Sequence, residues 1–169
     1  SPFGGTEGGI LTEGNFTHKY GLDPNKATTA TELRTALTTF AVALVDLGGV
    51  NEAPAFIDLS NAAKLEVAEI VLNAKEEDFA TAYELGQAVD AAMTAHGEFL
   101  NDVNTADSIS AMNAALNNED AFPAFYALDA ADKVAKAEEV FNKLQELKDA
   151  EKGPKKFNTI AEIKAAAGL

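Results

Sequence analysis

Carboxylates are the side chains of this sequence best able to do chemistry, and they gather at two places. The two groups are Glu76, Glu77 and Asp78, and Glu119 and Asp120. Carboxylate oxygens on a turn are ligands that calcium accepts, but an EF-hand loop also needs alternating ligands, a central glycine and a terminal glutamate. Neither stretch has that pattern. Both groups are calcium candidates, yet we favour solvated charges that complement nearby helix starts, and we predict no cofactor.

Histidine and cysteine chemistry is sparse in this chain. The two histidines, His18 and His96, form neither an HExxH nor a His-x-His pattern. His96 follows Met93 by three positions in a helical pattern, so we expect a histidine at a helix surface or interface. The absence of cysteine excludes thiol catalysis and cysteine-bound zinc. No GxSxG or phosphate-loop pattern occurs, and we predict that the protein is not an enzyme.

The charge is strongly acidic and uneven along the chain. The formal net charge is −14, yet residues 133–169 hold eight lysines against six carboxylates. An acidic surface argues against nucleic-acid binding, since phosphates need basic partners. The imbalance favours solubility and mutual repulsion, or alternatively head-to-tail electrostatic pairing between copies. No apolar run approaches 18 residues, so we predict no membrane insertion.

Residues 1–28 read as an irregular arm. They contain half of the twelve glycines and show no helical period, and glycine at this density is costly to order. Such an arm becomes ordered when another surface holds it, although a plain linker is the alternative. The candidate anchors for assembly are its large apolar side chains: Phe3, Ile10, Leu11, Phe16 and Tyr20.

The remaining residues have helical periodicity and recognisable caps. Thr29 with Glu32 fits a capping box, Ser60 and Asp129 fit N-caps, and no segment alternates as a strand does. We predict helices that start at Thr29, after Ser60, near Phe79, near Thr105, after Asp129 and near Asn158. The helix from Phe79 is expected to run to about Val103.

Two blocks of the chain recur at constant offsets. At an offset of 69, Phe56, Leu59, Ala62, Lys64, Ala68, Glu69, Val71 and Asn73 recur as Phe125, Leu128, Ala131, Lys133, Ala137, Glu138, Val140 and Asn142. At an offset of 78, Phe79, Thr81, Glu84, Leu85 and Ala88 match Phe157, Thr159, Glu162, Ile163 and Ala166. The shared positions are mostly apolar and cap types, which is typical of duplicated architecture.

These patterns predict an all-α fold. We expect an extended N-terminal arm at 1–28, a helical repeat unit at 29–103 and a second at 104–169. Each unit would have three helices, and the long helix would join them.

The resemblance of this chain to a known family rests on two pairs of motifs, LSNAAKLEVAEIVLN with FATAYELGQAVDAA and LDAADKVAKAEEVFN with FNTIAEIKAAA. Residues 29–169 resemble the tandem all-helical repeats of surface-layer and other cell-envelope proteins of Gram-positive bacteria. The resemblance implies a spacer or lattice module at the cell surface, outside the cell, with no catalytic residues to carry over.

We therefore predict a structural module of a self-assembling extracellular array, whose arm docks on a neighbouring copy or subunit. One alternative is a decoration or accessory protein of a bacteriophage virion, which would use the same arm. Another is a module that binds a peptide or a glycan.

Overall fold

The computed structural model describes residues 23–46 and 53–169, apart from the side chains of residues 40–46, 53 and 54. The all-α prediction is confirmed: 72% of the described residues are helical, and they contain no strand. After a 3₁₀ turn at Pro24–Lys26, the helices are α1 (Ala30–Asp46), α2 (Ala53–Asp58), α3 (Asn61–Ala74), α4 (Ala82–Thr105), α5 (Ile109–Leu116), α6 (Pro123–Tyr126), α7 (Ala130–Asp149) and α8 (Ile160–Ala167).

The chain forms two compact units, and the boundary falls inside α4. Unit 1 ends at Thr94, and unit 2 comprises Ala95–Leu169. The predicted boundary after residue 103 differs because the sequence pattern marks where a helix stops, whereas compactness depends on which residues pack together. The first half of α4 contributes Leu85 and Val89 to the buried residues, and the second half contributes Phe99 and Val103.

Side-chain caps set where most of these helices begin. Ser60 Oγ accepts the Ala63 N–H at 3.1 Å and caps α3. Asp129 Oδ1 accepts the Asp132 N–H at 2.8 Å and caps α7. Both caps were predicted, and each satisfies a backbone donor that the first helical turn leaves open.

The predicted capping box at Thr29 is half formed. Thr29 Oγ1 accepts the Glu32 N–H at 3.2 Å. The Glu32 carboxylate instead accepts the hydroxyls of Thr28 and Thr29, at 3.3 and 3.2 Å. A complete capping box forms at α8, where Thr159 and Glu162 bond each other's backbone N–H groups.

Unit 1 is built around the contact of α1 with α3, and α2 also packs on α1. The buried residues follow the helical spacing of three to four that places them on one face. They include Leu33, Ala36 and Leu37 of α1, Phe56 of α2, and Val67, Ala68 and Val71 of α3.

Unit 2 is built around the contact of α5 with α7, and α8 also packs on α7. Its core holds an aromatic cluster in which Phe122 stacks on Phe125 at 5.7 Å and meets Phe99 edge-on at 6.5 Å between ring centroids. Aliphatic residues of the three helices complete it: Met112, Leu116, Ala137, Val140, Leu144, Ile160, Ile163 and Ala167.

The structure differs from the predicted elements in three ways. The helix predicted to start near Thr105 begins at Ile109, after the Ser108 cap, because the long helix itself runs to Thr105. Each unit contains a short helix, α2 or α6, where the sequence indicated only a turn near Pro54 and Pro123. The long helix begins at Ala82 instead of Phe79, because Thr81 caps it by accepting the Glu84 N–H at 3.1 Å.

Candidate functional site

An asparagine side chain closes each unit by hydrogen-bonding both the N–H and the carbonyl of one distant residue. In unit 1, Asn25 Nδ2 donates to the Phe79 carbonyl at 2.9 Å, and the Phe79 N–H donates to Asn25 Oδ1 at 2.9 Å. In unit 2, Asn104 makes the same two bonds to Phe157, both at 2.8 Å. We call each pair of bonds an asparagine clasp. The clasps join residues 54 and 53 positions apart, so they hold the start of the last helix of each matched block to a distant part of the chain.

A glutamate tightens the same segment in both units. Glu84 Oε2 accepts the Ala80 N–H at 2.8 Å, and Glu162 Oε2 accepts the Asn158 N–H at 2.6 Å. With the threonine caps at 81 and 159, the clasp and the glutamate leave few ways for this stretch to move. Their shared role is to fix backbone, since every bond has a backbone partner.

Sequence reasoning missed the clasps, although a signal was present. Asn25, Ala27 and Thr29 match Asn104, Ala106 and Ser108 at an offset of 79. Ala27 and Ala106 are both 5% exposed. The repeated unit therefore begins before residue 29 in unit 1, and residues 23–28, which were predicted as the end of the arm, pack with unit 1. Asp23 is 6% exposed there.

Unit 2 carries a groove of about 470 Å³ between the end of α7 and α8. Five apolar and three charged residues line it: Leu147, Pro154, Phe157, Ala165, Ala166, Lys143, Lys156 and Glu162. Phe157, the residue held by the clasp, is 2% exposed and lies at its base. The volume is within the range of sites that take a small ligand or a short piece of peptide.

This groove arises where the two units differ in length. The last match at an offset of 69 is Asn73 with Asn142, and the next match, at an offset of 78, is Phe79 with Phe157. Unit 2 therefore has nine more residues than unit 1 within the stretch 143–156. Helix α7 has 20 residues and α3 has 14. Lys143, Leu147, Pro154 and Lys156 all lie in this longer stretch, so this part of the groove wall has no matched residue in unit 1.

The calcium candidates lie in two separate breaks between helices. Glu76, Glu77 and Asp78 are exposed between α3 and α4, and Lys75 Nζ pairs with Asp78 at 3.1 Å. Glu119 and Asp120 are exposed between α5 and α6. Within residues 23–46 and 53–169, no three side chains of histidine, aspartate or glutamate come together in a way that could hold a metal ion.

In the turn that contains Glu119 and Asp120, the side-chain amide of Asn118 bonds backbone N–H groups. Asn118 Oδ1 accepts the N–H groups of Asp120 at 3.2 Å and Ala121 at 3.0 Å. The polar run here therefore ends α5 and starts the turn into α6. This local role agrees with the preference of asparagine for turns.

His96 lies in α4 within unit 2 and is 7% exposed. It is a buried residue with an interaction partner, so of the two expected positions, a helix surface or an interface, burial argues against the exposed surface. The five predicted arm anchors, Phe3 to Tyr20, and His18 lie outside the described residues.

Along the part of the chain that the structure covers, no helix has both the length and the apolar composition needed to cross a bilayer. The chain matches no protein-family model, no curated protein and no solved structure.

Proposed function

We propose that this protein is a non-enzymatic structural module of a self-assembling extracellular array, and that its N-terminal arm links it to neighbouring copies. The observation that carries the proposal is the asparagine clasp, which recurs in both units with the same atoms and distances. The feature that the two units share most closely is this pair of hydrogen bonds, which restrains the backbone. Such restraints make a unit stiff, and a lattice or spacer module needs stiffness.

The caps support the same interpretation. Ser60 and Asp129 hold equivalent helix starts, and Glu84 and Glu162 hold equivalent N–H groups. All of these side chains accept hydrogen bonds from backbone N–H groups of the same chain. The extracellular placement rests on the resemblance of residues 29–169 to envelope repeats.

The groove of unit 2 favours a second candidate, a module that binds a peptide. Its mainly apolar lining, with two lysines and a glutamate, suits a groove that receives the apolar side chains of a bound peptide. This candidate is compatible with the first when the peptide belongs to a neighbouring copy.

The decisive experiment compares the full chain with a variant that lacks residues 1–22. Sedimentation velocity over a concentration series, with calcium and with EDTA, reports the assembly state. Negative-stain microscopy then distinguishes a flat or tubular lattice from a closed particle of the virion type. We expect concentration-dependent assembly of the full chain and a monomeric variant; a full chain that stays monomeric in both buffers contradicts the proposal.

A further inference from the structure

We infer that the groove of unit 2 is the receptor for residues 7–13 of the arm of a second copy of this chain. The inference rests on the proposed function, because it names the surface on which the arm would dock. Three observations carry it: the origin of the groove, its lining, and the composition of the segment that would fill it.

Part of the groove wall departs from the common plan of the two units, because the stretch 143–156 has no matched residues in unit 1. A feature present only to make a stiff repeat would be expected in both, as the clasps and caps are. The longer stretch 143–156 of unit 2 contains the last part of α7 and places Leu147 and Pro154 in the same groove as Phe157 and α8. The groove is largely apolar, with Lys143, Lys156 and Glu162 in its lining, and the Glu162 carboxylate accepts the Asn158 N–H.

The charge at this surface is unusual for the chain. The molecule carries a net charge of −14, but the segment 152–156 reads Lys-Gly-Pro-Lys-Lys. Lys156 and Lys143 line the groove, and Lys143 Nζ also lies 3.4 Å from Glu146. A partner that combines aliphatic side chains with carboxylates complements this surface.

The segment 7–13 of the arm, Glu-Gly-Gly-Ile-Leu-Thr-Glu, has that composition. Ile10 and Leu11 form an aliphatic pair, and Glu7 and Glu13 flank it. The two glycines before the pair have no side chains to hinder a close approach of backbone to the groove. The 22 residues before the described structure span at most about 75 Å when extended, which is enough to reach a neighbouring molecule.

The absence of cysteine from the chain allows a direct test of which molecule supplies the arm. A Leu11→Cys chain is mixed with an Ala165→Cys chain under mild oxidation. We expect a disulfide-linked heterodimer, with several-fold less product when the partner is Val134→Cys, which is exposed on α7 but outside the groove. Equal yields for the two partners, or a Leu11→Cys/Ala165→Cys double variant that links within one molecule at high dilution, overturn the inference.

A second measurement separates this inference from the proposed function. A fluorescent synthetic peptide of residues 1–22 is titrated with the full chain and followed by anisotropy. Lys156→Glu is expected to weaken binding roughly fivefold, the scale of one exposed ion pair. Lys155→Glu is the matched control, because it makes the same charge change at the adjacent exposed residue that does not line the groove.

The peptide with Glu7→Lys and Glu13→Lys is expected to prefer the Lys156→Glu chain over the original. Equal affinity of all chains for the peptide overturns the groove assignment even if the full chain assembles. If the charge-reversed peptide prefers the charge-reversed chain but the full chain never assembles, the groove is the binding site of the arm and the proposed array is wrong.

Discussion

The asparagine clasp depends on a property of one side chain. The carboxamide of asparagine presents an acceptor and a donor side by side, and the N–H and carbonyl of a single residue offer the matching donor and acceptor. Asn25 and Asn104 use both at once, on Phe79 and Phe157. At neutral pH a carboxylate only accepts and an ammonium group only donates, so neither can bond both the N–H and the carbonyl of the residue.

Replacing Asn104 with alanine should therefore remove both bonds and leave the Phe157 N–H and carbonyl without their partner. Because the site is part-buried, we expect a loss of about 1–2 kcal/mol in the free energy of unfolding. The local signature is amide exchange at Phe157, which should accelerate by about tenfold. Equilibrium urea unfolding and exchange measured by NMR provide the two readouts.

Asn101→Ala is the control for this prediction, since Asn101 lies one turn earlier on α4 and is exposed. It should leave the Phe157 exchange rate unchanged. An Asn104→Ala variant with unaltered exchange at Phe157 would show that the clasp does not restrain this segment.

The difference between the caps and the clasps explains what could be foreseen from the sequence. Ser60 and Asp129 act on N–H groups three residues away, so their partners are fixed by local helical geometry. Asn25 and Asn104 act across more than 50 residues. Only a comparison of the two units reveals them, because an asparagine in isolation also suits a turn or an exposed surface.

At the scale of elements, the helices with a long apolar stripe were foreseen and the two short ones were not. Helices α2 and α6 contain the shared tripeptide Pro-Ala-Phe, residues 54–56 and 123–125. Proline suits the first turn of a helix, where its missing N–H needs no partner, but it is equally a turn signal. With six and four residues, neither helix is long enough to show periodicity.

The short helix α6 should matter through the side that it buries. Phe125 is fully buried and stacked on Phe122, whereas the adjacent Tyr126 is 43% exposed. Phe125→Ala should lower the free energy of unfolding of unit 2 by about 3–5 kcal/mol, the usual cost of deleting a buried aromatic ring. Thermal unfolding followed by circular dichroism measures the loss.

Tyr126→Ala is the matched comparison on the same helix. It removes an exposed ring and the contact of Lys133 Nζ with that ring, 5.1 Å from the centroid. We expect a loss below about 1 kcal/mol. Comparable losses for the two substitutions would mean that α6 is not anchored by its buried face.

At the scale of the whole molecule, the position where the arm gives way to unit 1 is the main revision of the sequence-based plan. Glycine content favoured a boundary after residue 28, because composition changes there. The structure puts Pro24 and Ala27 among the buried residues, and Asp23 accepts the Asn25 N–H at 2.9 Å. Residues 23–28 therefore belong to unit 1, because they are partly buried and contain the clasp residue Asn25. Amino-acid composition reports neither of these features.

Two truncations therefore should behave differently. Removal of residues 1–22 keeps the Asp23 cap, the Asn25 clasp and buried Ala27, so we expect the thermal midpoint of unit 1 to be preserved. Removal of residues 1–28 deletes all three and leaves the Phe79 N–H and carbonyl without Asn25. We expect it to destabilise unit 1 by about 2 kcal/mol or more and to leave the transition of unit 2 nearly unchanged. Differential scanning calorimetry and amide exchange at Phe79 test both claims. Equal thermal midpoints for the two truncated chains would mean that residues 23–28 belong to the arm. A lower midpoint after removal of residues 1–22 alone would mean that part of the arm belongs to the core of unit 1.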